Sequence, residues 1–382
     1  MHPSNIVLLE FHPERDDLAP DKELRDGLSV ALRMGHTLWL ANDESVTIER
    51  LTLRPEDSQG KSSFTRDHKQ FALHDFLPMP LPASDPECPD ELNEADIEGL
   101  ACDGKYLWVA GSHSLRRKQP KDDDGTKKAY KRLASVSADG NRYLLARIPI
   151  VPEDDGYTLV REAQGKNKLH YAAILRGDAH GNELTELLKQ DEHLGPFLPI
   201  PGKDNGFDIE GVAVAGKNLL LGLRGPVLRG WAAIIEVSLV EDEQPATLRL
   251  GPVGKNDELY RKHFLDLRGL GIRDLCVQGE DLLILAGPTM DLDGPVVLYR
   301  WPGGAQPDAG CIVPTSQLEH VLDLPFGQGV DHPEGMTLFP ANAGAEEGLL
   351  VVHDSASPSR QIGESILVAD VFPLPKRKKP AG

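Results

Sequence analysis

The sequence has few cysteines, few aromatic residues and a shortage of positive charge. Its four cysteines in 382 residues include no Cys-x-x-Cys pair. This argues against a zinc-binding or disulfide framework and fits reduced, unpaired thiols. Lysine and arginine number 41 against 60 aspartates and glutamates, so the formal net charge is −19. A field of this sign repels phosphate groups, and we therefore expect no binding to nucleic acid or to anionic membranes.

Long apolar runs and the short motifs of several enzyme classes are also missing. No run of 18 apolar residues occurs, so no transmembrane helix is expected. The N-terminal stretch MHPSNIVLLEFHPERDD lacks the basic start and apolar centre of a secretory signal, which predicts a cytoplasmic protein. HExxH, GxSxG, Walker and dinucleotide-binding glycine motifs are absent. Peptidase, α/β-hydrolase, kinase and Rossmann chemistry are therefore disfavoured.

A short repeat is present instead, and it organises the chain. Its five copies read LRDGLSV from Leu24, DIEGLACDG from Asp96, DIEGVAVAG from Asp208, GIRDLCVQG from Gly271 and HPEGMTLF from His332. Each copy is followed by a short apolar run and then by an alternating run, and a fourth apolar segment precedes the next copy. Four local antiparallel strands per repeat are typical of a β-propeller blade.

The spacing of the repeats predicts an all-β propeller. The repeats start 72, 112, 63 and 61 residues apart, and the long second interval favours six blades with one divergent blade near residues 152–192. Five blades with an inserted helical excursion is the alternative. The last repeat lacks a fourth strand, which the strand from Asn5 is expected to supply, closing the ring and removing an exposed edge. We expect one domain over residues 1–374 and a disordered basic tail over 375–382.

Three segments resemble a bacterial family known as domain of unknown function 3616. They are ADIEGLACDGKYLWVAGSHS (95–114), EGVAVAGKNLLLGLRGPVLRGW (210–231) and HPEGM (332–336). The likeness extends over nearly the whole chain, and the family name implies no activity. A weaker likeness, carried by the acid–glycine strand start of 333–335, is to calcium-dependent gluconolactonase and phosphotriesterase propellers and to phytase-like esterase propellers. It concerns the fold and implies no function by itself.

Propeller geometry brings equivalent residues of successive repeats around one axis. Aligned on their hairpin glycines, the repeats place Asp26, Glu98, Glu210, Arg273 and Glu334 in one column. Carboxylates packed together repel one another. A hard cation that binds oxygen ligands relieves this repulsion, and calcium is the preferred candidate. Two alternatives are that these acids cap strand starts by accepting backbone N–H bonds and that they act directly as acids and bases.

A second column, at the far end of each second strand, is expected to open at the same mouth. It contains Asp43, Ser112, Arg224, Gly287 and Asp354, with His113 and His353 beside it. The residues predicted to hold calcium or another divalent cation are Glu98, Glu210, Glu334, Asp354, Asp26 and Asp43. Arg224, Arg273 and Ser112 are predicted to bind substrate, and His353 and His113 to transfer protons.

These residues predict a metal-dependent hydrolase or lactonase that acts on a small molecule at the channel mouth. The arginines favour an anionic substrate. The charged stretch from Leu115 to Arg132 is either a solvated loop or a binding element for an anion beside that mouth. The alternative function is a non-catalytic propeller that recognises a protein or another ligand, because no specific catalytic motif is present.

Overall fold

Short apolar runs separated by tight turns form antiparallel strands, and these strands assemble into five blades. The computed structural model describes residues 2–19, 22–59, 62–81, 94–254, 256–340 and 347–375. Blade 1 consists of the strands Leu28–Met34, Thr37–Asn42, Thr47–Gln59 and Ser62–Ala72. Blade 2 consists of Ile97–Cys102, Tyr106–Gly111, Leu145–Glu153 and Ala173–Leu175. Blade 3 consists of Asp208–Ala215, Asn218–Gly225, Trp231–Glu241 and Tyr260–Asp266.

The remaining two blades complete the circle. Blade 4 consists of Gly271–Gln278, Asp281–Gly287, Val296–Trp301 and Glu319–Leu324. Blade 5 consists of His332–Pro340, Glu347–Asp354, Ile366–Pro373 and Asn5–Glu10. The first strand of each blade packs against the first strand of the next, and that of blade 5 packs against that of blade 1. The protein is therefore a β-propeller with its first strands around the axis.

The N-terminal strand closes the ring, as predicted. Asn5–Glu10 pairs antiparallel with Ile366–Pro373, with Ile6 opposite Asp370 and Glu10 opposite Ile366. The other edge of the same strand pairs in parallel with Ser62–Ala72 of blade 1. Val7 and Leu9 on this strand are completely buried, so closure both satisfies two sheet edges and completes the core.

The segment expected to form a sixth, divergent blade completes blade 2 instead. Within it, Gly156–Leu159 and Ala173–Leu175 both pair with the third strand of blade 2, and the helix Glu183–Leu188 follows. The first strands of blades 2 and 3 pack directly against each other, which leaves no place at the axis for an intervening blade. The described residues thus contain five blades with a helical insertion, and the preference for six was wrong.

Smaller elements are present besides the four strands of each blade. They are the helices Pro13–Asp16 and Thr126–Leu133, and the short strands Asp17–Ala19, Lys22–Glu23, Arg116–Arg117, Val136–Ser137, Glu162–Gln164, Leu169–Tyr171, Gly177–Asp178, Gly181–Asn182, Thr247–Gly251, Cys311–Val313 and Gln361–Ile362. No helix of the described residues is long and apolar enough to cross a membrane. The basic tail expected over 375–382 lies outside the described residues apart from Pro375.

A β-bulge recurs in the first strand of every blade, near its beginning. One residue has no partner on the second strand at this point, for example Glu98 between Ile97 and Gly99, and Glu334 between Pro333 and Gly335. A β-bulge redirects the side chain of its extra residue. The glycine that follows allows the neighbouring first strand to come close, since a Cβ on Gly335 would lie 2.7 Å from Val30 Cα. The acid–glycine pair of the repeat is therefore a bulge followed by a close packing contact.

Candidate functional site

The bulge residues of the five blades converge at one end of the axial channel. They are Ser29, Glu98, Glu210, Arg273 and Glu334. The prediction placed Asp26 in this ring, and it was wrong, because the bulge of blade 1 falls three residues later, at Ser29. Asp26 lies in the turn before the strand, where its Oδ1 accepts a hydrogen bond from Gln361 Nε2 at 2.8 Å. Ser29 Oγ donates to the carbonyl of Ile97 at 2.6 Å.

Glu98, Glu210 and Glu334 line a cavity of about 770 Å³ at the channel mouth. Both predicted columns meet there, since Asp43, Arg224 and Asp354 from the second strands line the same cavity. The carboxylates around it include Asp43, Asp96, Glu98, Asp208, Glu210, Glu334 and Asp354. An adjoining lobe of about 340 Å³ contains Arg273 and His332.

Two arginines neutralise one side of the cavity. Arg224 Nη1 donates to Glu210 Oε1 at 2.7 Å, and Arg273 Nη1 lies 3.1 Å from Glu210 Oε2 and 2.7 Å from Glu334 Oε1. Backbone carbonyls hold both guanidinium groups in place, at Thr289 for Arg224 and at Pro288 for Arg273. Glu210 and Glu334 therefore already have cationic partners supplied by the chain.

The opposite side of the cavity has a cluster of three acids. Asp43, Asp96 and Glu98 each offer a carboxylate oxygen, and the three oxygens all lie within 4.8 Å of one another. Arg142 Nη1 pairs with Asp96 at 2.8 Å, whereas the side chains of Asp43 and Glu98 make no hydrogen bond or ion pair with the described residues. Burial, together with the neighbouring carboxylates, holds the pKa of Asp43 and of Glu98 well above their ordinary values. In this oxygen-only cluster, two of the three acids therefore have no cationic partner among the described residues.

Asp208 is a further acid of the cavity without a partner among the described residues. It is 5% exposed, lines the cavity and makes no hydrogen bond or ion pair with any described residue. Burial is the main cause that raises its pKa well above the usual aspartate value, and Glu210 adds to it while Arg224 and Arg142 oppose it. A carboxyl group whose pKa is raised keeps its proton to a higher pH than an ordinary aspartate, which suits it to donate a proton into the cavity.

The two histidines predicted to transfer protons do not reach the cavity. His113 is buried; Asn182 Nδ2 lies 2.7 Å from its Nε2, and its Nδ1 lies 2.8 Å from the carbonyl of Gly111. Burial lowers its pKa to about 4. His353 is also buried and accepts from Arg360 at 3.2 Å, and burial, with Arg360, lowers its pKa to about 3. Both are neutral structural residues, so this part of the prediction was wrong.

Neighbouring residues occupy the positions expected for His353 and Ser112. His332 lines the adjoining lobe, with Nε2 3.1 Å from Asp293 Oδ1 and Nδ1 3.9 Å from Asp354 Oδ2. Its interaction with Asp354, followed by that with Asp293, raises its pKa. Ser112, predicted to bind substrate, is buried, and its Oγ lies 2.9 Å from that of Ser114. Ser114 lines the cavity in its place.

Several cavity residues escaped the sequence analysis. Among them are Asp96, Arg142, Lys203 and Asp208. Asp96 and Asp208 had a visible signal, because both stand two residues before the bulge glutamate in the sequence Asp-Ile-Glu. Two residues along a strand return to the same face, so each Asp joins its glutamate at the mouth. Arg142 and Lys203 lie in short 3-10 helices outside the repeat, Gly140–Tyr143 and Gly202–Asp204, where no periodicity marks them.

The charged stretch from Leu115 to Arg132 forms part of the cavity wall. Arg116, Arg117, Lys118 and Lys121 line the cavity together with Arg132. Several of these cations are already paired, for example Arg116 with Glu94 and Arg117 with Asp204 at 2.7 Å. Lys118 and Lys121 form no ion pair with the described residues. The segment therefore brings uncompensated positive charge beside the mouth, in the position predicted for an anion-binding element.

The whole chain was also compared with known proteins. A family model described as "Protein of unknown function (DUF3616)" matches residues 27–370. No curated protein matches the sequence.

Among solved structures, glutaminyl cyclase of Myxococcus xanthus is similar at 9% identity and a TM-score of 0.37, with 97% of this chain and 99% of that chain covered. The Nup133 β-propeller domain of Vanderwaltozyma polyspora has 9% identity, a TM-score of 0.32 and coverages of 91% and 71%. The coronin WD40 domain of Toxoplasma gondii has 11% identity, a TM-score of 0.31 and coverages of 99% and 89%. Likenesses this low carry no argument about activity.

Proposed function

The chain belongs to the DUF3616 family, whose description assigns no activity. From the residues at its channel mouth, we propose that the protein is a divalent-cation-dependent hydrolase of a small anionic molecule. The observation that carries this proposal is the shared cavity. The cluster of Asp43, Asp96 and Glu98, in which only Asp96 has a cationic partner among the described residues, lies in the same cavity as the buried carboxyl group of Asp208.

The acid cluster fits a hard divalent cation such as calcium. Its donor atoms are all carboxylate oxygens, which calcium prefers, and they are close enough together to share one ion. Burying several negative charges without a counter-ion is costly, and two of the three acids have no partner among the described residues. A bound divalent cation would polarise a carbonyl or phosphoryl oxygen of the substrate.

The remaining cavity residues supply charge and a proton. Lys203 makes no ion pair with the described residues and lines both the main cavity and the adjoining lobe, so its charge is free for an anionic group of the substrate. Arg224 lines the same surfaces, and Glu210 and backbone carbonyls fix its guanidinium. Asp208, whose pKa burial raises, lines the cavity and would donate a proton to a leaving group.

Removing one ligand of the proposed cation site is expected to abolish tight metal binding. We predict that Glu98→Gln weakens calcium binding by at least about tenfold. Substituting residues that only hold a metal ligand in place already lowers metal affinity by that much. Isothermal titration of chelator-treated protein with calcium measures this. The matched control is Glu44→Gln, which removes the same charge from the same cavity rim outside the cluster and is expected to leave the affinity unchanged.

Equal titrations of wild type and Glu98→Gln would contradict the cation site. Absence of binding to wild-type protein, with no effect of a chelator on thermal stability, would favour the alternative of a non-catalytic propeller that binds a protein or another ligand.

Loss of the proposed acid is expected to reduce hydrolysis without reducing metal binding. With calcium present, Asp208→Asn should lower kcat by about 10²–10⁴-fold on the substrate that a panel of lactones, carboxylic esters and phosphoesters identifies. Substrates with good leaving groups need less protonation and should lose less. A uniform loss across leaving groups, or unchanged kcat, would show that Asp208 is not the acid.

A further inference from the structure

A second group of reactive side chains lies on the outer part of blade 3. The short strand Cys311–Val313 pairs in parallel with Tyr260–Asp266, and Cys311 stands opposite His263. Cys311 Sγ lies 3.3 Å from His263 Nδ1, and His263 Nε2 lies 3.2 Å from Glu236 Oε2. A thiol, an imidazole and a carboxylate in this order are the arrangement that activates a cysteine nucleophile.

The carboxylate sets the tautomer of the imidazole. Burial opposes ionisation of Glu236, but hydrogen bonds from His263 and Asn218 keep its pKa below the ordinary value. Arg261 lies 3.7 Å from the same carboxylate. An ionised Glu236 accepts the Nε2–H of His263, which leaves Nδ1 free to accept the thiol proton. His263 is completely buried, with the Trp301 ring 5.6 Å away, so water does not compete for that nitrogen.

The thiol is also accessible from outside. Cys311 is half-buried and lines a surface groove of about 770 Å³ together with Leu187, Phe264 and Ile312. Burial raises the pKa of the Cys311 thiol, so thiolate forms here by proton transfer to the adjacent base. The other described cysteines lack such a base. Cys102 accepts a backbone N–H bond from Gly104, and burial raises the pKa of Cys276 to about 12.

We propose that Cys311 is a modification site that forms mixed disulfides with small disulfides entering this groove. The Cys311 thiol proton passes to His263 Nδ1, and the thiolate attacks one sulfur of the disulfide. The S–S bond of the small molecule breaks, and its departing thiolate takes the proton from His263. Cys311 is oxidised to the mixed disulfide while half of the small molecule is reduced to a thiol, so no further oxidant is needed.

The test is site-resolved labelling of the full chain with hydroxyethyl disulfide, quantified by peptide mass spectrometry. Cys102 is the matched control, because it is also half-buried but has no imidazole in contact. Cys311 is expected to react about tenfold faster than Cys102 near neutral pH. His263→Asn and Glu236→Gln are each expected to slow Cys311 by about tenfold and to leave Cys102 unchanged. Cys276 is also half-buried, but burial raises the pKa of its thiol to about 12, so we expect it to label slowly, and faster labelling of Cys276 in a variant would report loss of the fold.

Two results would overturn the proposal. One is a wild-type Cys311 rate no higher than that of Cys102. The other is an unchanged Cys311 rate in a variant whose Cys276 remains protected. If His263→Asn exposes Cys276, the milder Glu236→Gln variant and the wild-type comparison decide the question.

Discussion

Deletion of residues 2–11 is expected to prevent formation of a soluble, monodisperse protein. The deletion removes the closing strand with Val7, Leu9 and Phe11, which are at most 2% exposed. Loss of each large buried side chain costs about 2–5 kcal/mol, and the three together are comparable to a typical total stability of about 5–15 kcal/mol. The deletion also frees the edges of Ser62–Ala72 and Ile366–Pro373, and free edges promote aggregation.

Size-exclusion chromatography with light scattering measures this outcome. The control is Leu8→Thr, which changes a half-buried position of the same strand and introduces a β-branched residue suited to a strand. This variant is expected to elute like the wild type. A monodisperse protein of native compactness after the deletion would mean that Asn5–Glu10 does not close the ring.

Arg273→Met is expected to lower the free energy of unfolding of metal-free protein by about 3–5 kcal/mol, as for other buried ion pairs that lose one partner. Arg273 is 8% exposed and bridges Glu210 and Glu334. Glu210 retains Arg224, so the uncompensated charge falls on Glu334. The double variant Arg273→Met/Glu334→Gln should therefore recover much of the loss. Denaturant titration followed by circular dichroism measures both effects.

The loss should depend on pH with a defined sign. Burial, followed by Asp354, raises the pKa of Glu334 from 4.5 to about 7, and Arg273 opposes this shift. The folded protein then holds a proton that the unfolded chain has released, so this group stabilises less as pH rises from 4.5 through about 7. Without Arg273 the folded pKa rises further. The loss of free energy of unfolding caused by Arg273→Met should therefore be larger at about pH 8 than at about pH 5. The opposite trend would contradict the ion pair between Arg273 and Glu334.

The architecture was readable from the sequence because it is local and repeated. Hairpin turns, alternating runs and the missing fourth strand of the last repeat predicted the blades and the closure by Asn5–Glu10. The number of blades was not readable. It depends on which strands meet at the axis, and residues 156–175 pair on the outer side of blade 2 without a repeat signal.

The site was predicted in part, for reasons that lie in the bulges. Glu98, Glu210, Arg273 and Glu334 converge as expected, because equal bulges place equal positions at the mouth. The prediction for Asp26 was wrong because the Asp-Gly pair of the first repeat was aligned with the acid–glycine pairs of the other repeats, whereas the bulge of blade 1 lies at Ser29. The pairing of acids with Arg224 and Arg273 divides the predicted ring into a neutralised side and an uncompensated side, and this division depends on side-chain direction, which spacing does not encode.

The histidines show a different limit of sequence reasoning. His113 and His353 stand at strand ends beside the mouth in the sequence, but their rings turn into the core and bind Asn182 and Arg360. At the end of a strand a side chain can point either to the channel mouth or into the core, and tertiary packing selects between the two. Asp208 and Asp96 were readable in principle, since both copies of Asp-Ile-Glu place two acids on one strand face.

The position of a bound cation tests the central claim most directly. In crystals grown with calcium and measured for anomalous scattering, the account predicts one ion coordinated by oxygens of Asp43, Asp96 and Glu98 at about 2.3–2.6 Å. Glu210 and Glu334 should remain bound to Arg273. An ion seated on Glu210 and Glu334 with Arg273 displaced, or a cavity that holds no ion at saturating calcium, would contradict it.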